Sequence, residues 1–117
     1  MKKIILTTFA AVSTLFASDS ITGNWNTGKE NSIVFIQKNE SGRYVGTLVS
    51  SDNQNAPVGS KILRNFSHVD GEWRGSIYVV KRRMVRDATL SCQGDTLLLE
   101  IDAGFRTEKV HWVRVEN

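Results

Sequence analysis

Asp70-Gly71-Glu72-Trp73-Arg74-Gly75-Ser76-Ile77-Tyr78-Val79-Val80 decides the fold of this 117-residue chain. Asp-Gly places together two residues that tolerate positive φ, which the tight turns matching the twist of a β-hairpin require. The residues after it alternate with a period of two. Trp73, Gly75, Ile77 and Val79 share one face, and Arg74, Ser76 and Tyr78 share the other. A strand leaves the turn here, over Glu72 to Val80, with its first set pointing inward.

The same reading extends in both directions. Lys61 to Phe66 is the strand that enters the turn. Downstream, Arg83 to Cys92 alternates with Ala88 and Leu90 on one face and Asp87 and Thr89 on the other. Gln93-Gly94-Asp95 turns the chain into Thr96 to Ile101, where Leu97, Leu99 and Ile101 face inward. Ala103-Gly104 then turns it into a last strand, Thr107 to Val115. Upstream, Ser32 to Lys38 is apolar on both faces, Ile33 and Phe35 on one and Val34 and Ile36 on the other, as in a strand covered from both sides. Glu40-Ser41-Gly42 leads to Tyr44 to Val49, whose interior Gly46 marks a corner where the sheet bends. Ser50 to Gly59, with Ala56-Pro57-Val58-Gly59 at its end, is the one long loop. No stretch sustains a helical period.

With a short first strand at Gly23-Asn24-Trp25-Asn26-Thr27, the count is about eight. The fold class is all-β: a small, closed or nearly closed, up-and-down antiparallel barrel. First and last strands are neighbours in such a barrel. Gly23 lets the backbone bend while Trp25 turns inward, and Trp112 and Arg114 share a face of the last strand, so Arg114 is expected over the Trp25 indole. Gly23, Trp25, Trp112 and Arg114 together read as a barrel-closure signature.

The N-terminal segment has another purpose. Lys2 and Lys3 precede the apolar run Ile4 to Phe16 and the small residues Ala17-Ser18, which is the pattern of a secretory signal peptide over residues 1–17. Residues 18–117 then form a single domain with a periplasmic or secreted location in a bacterial host, and no integral membrane segment is expected after removal of the signal. The whole chain carries 15 Lys and Arg against 12 Asp and Glu, but loss of Lys2 and Lys3 leaves 13 against 12. Near-neutrality argues against nucleic acid as a partner. The cluster Lys81, Arg82, Arg83 and Arg86 lacks interleaved aromatics and reads as a solvated hairpin. Cys92 is the only cysteine, so no internal disulfide staples the domain. A small buried apolar residue fits it better than a nucleophile, and an intermolecular bridge stays open.

These landmarks resemble a family of small secreted bacterial proteins, the domain of unknown function 2147 family. The resemblance rests on Gly23, Trp25 and Thr27, on Tyr44 and Gly46, on Gly59, on Trp73, Gly75, Ile77 and Tyr78, and on Arg106, Thr107, Trp112 and Arg114. It implies a lipocalin-like barrel of the calycin type. The chain departs from that pattern at Val79-Val80-Lys81-Arg82-Arg83-Met84, where the family has a proline- and glycine-containing turn. The family has no established reaction, so the resemblance bears on fold and compartment.

The function expected first is ligand binding: a secreted or periplasmic carrier of a small, largely apolar molecule, with an anionic head group as one option. Its lining would be Phe35, Tyr44, Leu48, Trp73, Ile77, Leu90, Leu97 and Leu99, with Arg86 as the partner of a carboxylate. Arg86 falls on the apolar side with Ala88, and a buried guanidinium needs an acidic neighbour or an anionic ligand. The other reading of Arg86 is that a bulge turns it out to solvent. The alternative function is an envelope interaction module or inhibitor with a filled core, using the loop Ser50 to Gly59 and the basic turn Lys81 to Arg86; a protein partner or homodimer stays open. No enzymatic activity, cofactor or metal is expected, because His68 and His111 lack ligand spacing and no serine stands in a nucleophile turn.

Overall fold

Every alternating stretch forms a strand. The computed structural model describes residues 21–115, and the signal peptide expected over 1–17 lies outside the described residues. The strands are β1 (Gly23–Asn26), β2 (Ile33–Lys38), β3 (Tyr44–Ser50), β4 (Lys61–Val69), β5 (Glu72–Val79), β6 (Met84–Gln93), β7 (Thr96–Asp102) and β8 (Thr107–Arg114). Each pairs antiparallel with the next, and β1 pairs with β8, giving a closed up-and-down barrel consistent with a lipocalin-like fold. No described helix is long and apolar enough to cross a membrane.

Turn chemistry fixes the hairpins. Asp70 and Gly71 stand at φ 53° and 86°, so the two-residue connection between β4 and β5 takes positive φ at both central positions, as its twist demands. The β5–β6 connection differs from the sequence expectation. Instead of running on through Val80, the strand stops at Val79, a single 3-10 turn covers Val80–Arg82, and Arg83 at φ 53° brings the chain back.

The core is the inward face of all eight strands, including Trp25, Val34, Ile36, Leu63, Phe66, Trp73, Leu90, Leu97 and Leu99, each at most 3% exposed. Strand β2 corrects one expectation: Val34 and Ile36 are buried, whereas Ile33 and Phe35 are half-buried on the outer face, so β2 is not covered equally from both sides. In β3, Gly46 does mark an irregularity. The β3–β4 register shifts on both sides of it, and a Cβ there would lie 3.0 Å from the Leu63 side chain.

A second irregularity breaks the alternation in β4. Leu63 and Phe66 are both buried although three residues apart, which a regular strand does not permit. Arg64 pairs with Ser76 and Ser67 with Arg74, so Asn65 and Phe66 together stand opposite Gly75. This two-against-one bulge puts Asn65 at φ 60° and swings the Phe66 ring onto Gly75. A Cβ on Gly75 would sit 2.6 Å from Phe66 Cγ and 2.8 Å from the Arg64 carbonyl oxygen.

Candidate functional site

The two ends of the barrel differ. At the end where β1 begins and β8 finishes, Trp25 is fully buried and its Nε1 donates to the Ile21 carbonyl oxygen at 2.9 Å. The Arg114 guanidinium carbon lies 4.4 Å from the Trp25 ring centroid. The same guanidinium donates from one terminal nitrogen to the Thr22 carbonyl oxygen at 3.0 Å, while Nε approaches Asp95 Oδ1 at 3.4 Å. Gly23 is required beside it, since a Cβ there would be 3.2 Å from the same terminal nitrogen, and its φ of 131° disfavours any side chain. This end is stoppered.

The opposite end is open. A cavity of about 310 Å³ enters between the β1–β2 loop and the long β3–β4 loop. Its floor is apolar, made by Val34, Leu48, Ile62 and Trp112, and its rim is polar, with Lys29, Glu30, Ser32, Ser51, Asn53 and Lys81. The long loop is held in place. Asp52 N donates to the Glu30 carbonyl oxygen at 2.8 Å, Asn31 Nδ2 donates to Asp52 Oδ2 at 2.7 Å, and the Ser32 and Ser51 hydroxyls share a hydrogen bond at 2.8 Å. Gly59 N, donating to the Leu48 carbonyl oxygen at 2.7 Å, anchors the far side of the loop, and Ala56 packs toward the core. The mouth is therefore a built rim, with backbone groups satisfied between two loops.

Next to it lies a smaller cleft of about 120 Å³ that shares Val79 with the cavity and is lined by Arg82, Arg86, Ile101, Phe105 and Arg106. The β5–β6 register runs without a shift from Trp73 opposite Leu90 to Val79 opposite Met84. The bulge reading of Arg86 is thereby corrected: with no extra residue, Arg86 keeps the face of Ala88 and Leu90 and ends half-buried at the rim, with a terminal nitrogen 3.9 Å from where a Cβ of Gly104 would stand. Among the described residues neither Arg82 nor Arg86 has an ion-pair partner, whereas Arg106 pairs with Glu108 at 3.1 Å.

The expected lining is only partly gathered at this mouth. Leu48 lies in the cavity floor and Arg86 in the adjoining cleft. Tyr44, Trp73, Ile77, Leu90, Leu97 and Leu99 are buried in the packed core, with Trp73 edge-on to Tyr44 at 6.2 Å between centroids. Phe35 is on the outer face of β2. Of the closure residues, Trp112 also floors the cavity, so one indole serves both regions. Val34 and Ile62 were missed as lining: β2 is apolar on both faces, so alternation does not single out Val34, and Ile62 turns inward beside Leu63 where the β3–β4 register slips opposite Gly46 and Thr47.

The remaining reactive side chains stay apart. His111 is exposed, and His68 is exposed with its ring 4.6 Å from that of Trp73. No three His, Cys, Asp or Glu side chains converge among the described residues. Cys92 is half-buried, its Sγ 3.5 Å from the Gly94 carbonyl oxygen and 4.0 Å from Arg114. Comparison of the chain with family models, with curated proteins and with solved structures gives no match.

Proposed function

We propose that the protein is a binding protein for one small, largely apolar molecule with an anionic end, received at the open mouth of the barrel. The observation that carries this reading is the cavity of about 310 Å³, with Val34, Leu48, Ile62 and Trp112 beneath a polar rim. Small-molecule sites begin at roughly this size and combine an apolar lining with a few placed polar groups. Lys29 and Lys81 supply positive charge at the rim, and Arg82 and Arg86 supply more in the adjoining cleft. The cavity also favours this reading over an interaction module with a filled core. Export to the periplasm or beyond, and kinship with the domain of unknown function 2147 proteins, are part of the same proposal and rest on residues 1–17 and on the motif order from Gly23 to Arg114.

The test is a titration with a fluorescent fatty-acid analogue, an acyl chain ending in a carboxylate, read by energy transfer from tryptophan. Trp112 in the floor is the donor nearest the probe. Saturable binding is expected, and Ala56→Trp, which fills the cavity from the long loop, should weaken it at least tenfold. Equal binding by Ala56→Trp, or no binding of any apolar anion by the wild type, removes the proposal.

A further inference from the structure

We propose that the open end of the barrel docks on an anionic lipid membrane through the tips of the β5–β6 and β7–β8 hairpins. Phe105, in the β7–β8 turn, is 89% exposed, the largest exposure of any apolar side chain described. Val80, Met84 and Val85 are exposed on the β5–β6 hairpin at 43%, 39% and 51%. The two tips are neighbours, because Arg82 and Arg86 from one and Phe105 and Arg106 from the other line the same cleft. One edge of the molecule therefore presents apolar side chains from adjacent turns that have no protein surface to cover them.

Charge identifies the occupant. Lys81, Arg82 and Arg83 stand between Val80 and Met84, with Arg86 just behind them, and no acidic residue occurs from Trp73 to Val85. The nearby acids are engaged or set back: Glu108 pairs with Arg106 at 3.1 Å, Asp102 Oδ1 accepts from Gly104 N at 2.9 Å, Glu30 Oε1, on the same rim as Lys81, accepts from Asn53 Nδ2 at 3.3 Å, and Asp87 lies beyond Arg86 on the exposed face of β6. Apolar tips alternating with cations match a bilayer interface, where acyl chains receive the first and anionic headgroups the second. A nucleic acid would satisfy the cations but offers no apolar interior to Phe105 and Val85. Docking by this edge turns the cavity mouth toward the lipid, although the inference depends only on the surface and not on what the cavity holds.

Flotation with vesicles of phosphatidylcholine, alone or mixed with phosphatidylglycerol, tests it on residues 18–117. Binding is expected at low ionic strength to the mixed vesicles only, and salt should weaken it. Arg82→Ser and Arg83→Ser should each reduce vesicle affinity about fivefold, and Phe105→Ser about tenfold. Arg43→Ser, an exposed cation at the stoppered end, should leave it unchanged. These substitutions are exposed, so unaltered tryptophan emission reports an intact fold. No flotation with mixed vesicles, equal flotation with both kinds, or an equal loss from Arg43→Ser would overturn the proposal. Fatty-acid binding in the cavity is read separately, so failure of either proposal is distinguishable from failure of the other.

Discussion

Replacing Arg114 with alanine tests what closes the barrel. The guanidinium lies 4.4 Å from the Trp25 ring centroid, donates to the Thr22 carbonyl oxygen at 3.0 Å and approaches Asp95 at 3.4 Å. Its side chain is 25% exposed against 68% for Asp95, so the ion pair is screened and contributes at most about 1 kcal/mol. The cation–π contact, partly desolvated, contributes about 1–2 kcal/mol. The charged hydrogen bond contributes a similar amount at a site where water can partly replace it. Because the contacts share one group and are not additive, the expected loss for Arg114→Ala is about 2–4 kcal/mol. With a urea slope of about 2 kcal/mol per molar, the unfolding midpoint should fall by about 1–2 M. Asp95→Ala should cost less than about 1 kcal/mol, and Arg114→Lys, which keeps charge but loses the planar stack, should fall between the two. If Arg114→Ala costs no more than Asp95→Ala, the indole–guanidinium contact is not what stabilises this end.

Two further substitutions probe the bulge and the core. Gly75→Ala forces a methyl group within 2.8 Å of both the Phe66 ring and the Arg64 carbonyl oxygen and should destabilise by about 1–3 kcal/mol in the same urea assay, with part of the loss recovered by Phe66→Leu; a neutral Gly75→Ala would contradict the bulge. Trp73 Nε1 is buried without a hydrogen-bond partner, so Trp73→Phe removes an unsatisfied donor as well as ring contacts, and the two effects should nearly cancel, to within about 1 kcal/mol. A loss above about 2 kcal/mol would show that this N–H is satisfied.

Much of the architecture was legible because each level of the sequence points the same way. Alternation gives the inward face of Trp73 and Ile77, and Asp70-Gly71 gives the turn that sets Trp73 opposite His68, whereas Ile77 lies past the bulge, opposite Leu63. Gly46 carries its own signal, since a strand interior seldom spares a side chain without a bend or close approach, and Leu63 at 3.0 Å is that approach. The candidate site was less legible. Periodicity tells which face a residue takes but not its height along the barrel, so Tyr44, Leu90 and Leu97, though inward, sit in the packed core rather than at the mouth. Phe35 was misplaced because β2 is apolar on both sides, which leaves its phase undetermined by composition; pairing of Trp25 with Val34 settles it. The bulge at Asn65–Phe66 is set by Gly75 on the neighbouring strand, a relation that no reading of Lys61 to Phe66 alone contains.

The seam between first and last strands has a consequence for how the molecule assembles. Every other join links strands consecutive in the chain, whereas the seam pairs Trp25 with Arg114 and Asn26 with Val113. Bringing such distant residues together costs about 2 kcal/mol more loop entropy than closing a ten-residue hairpin, while this seam registers only two residue pairs. The entropy difference favours an order in which the meander of hairpins forms progressively and the ring closes last. Until Arg114 settles over Trp25, β1 and β8 are open edges that can pair with the same edges of a second copy. With the seam paired and Arg114 over Trp25, the ring leaves neither of those edges for a second copy.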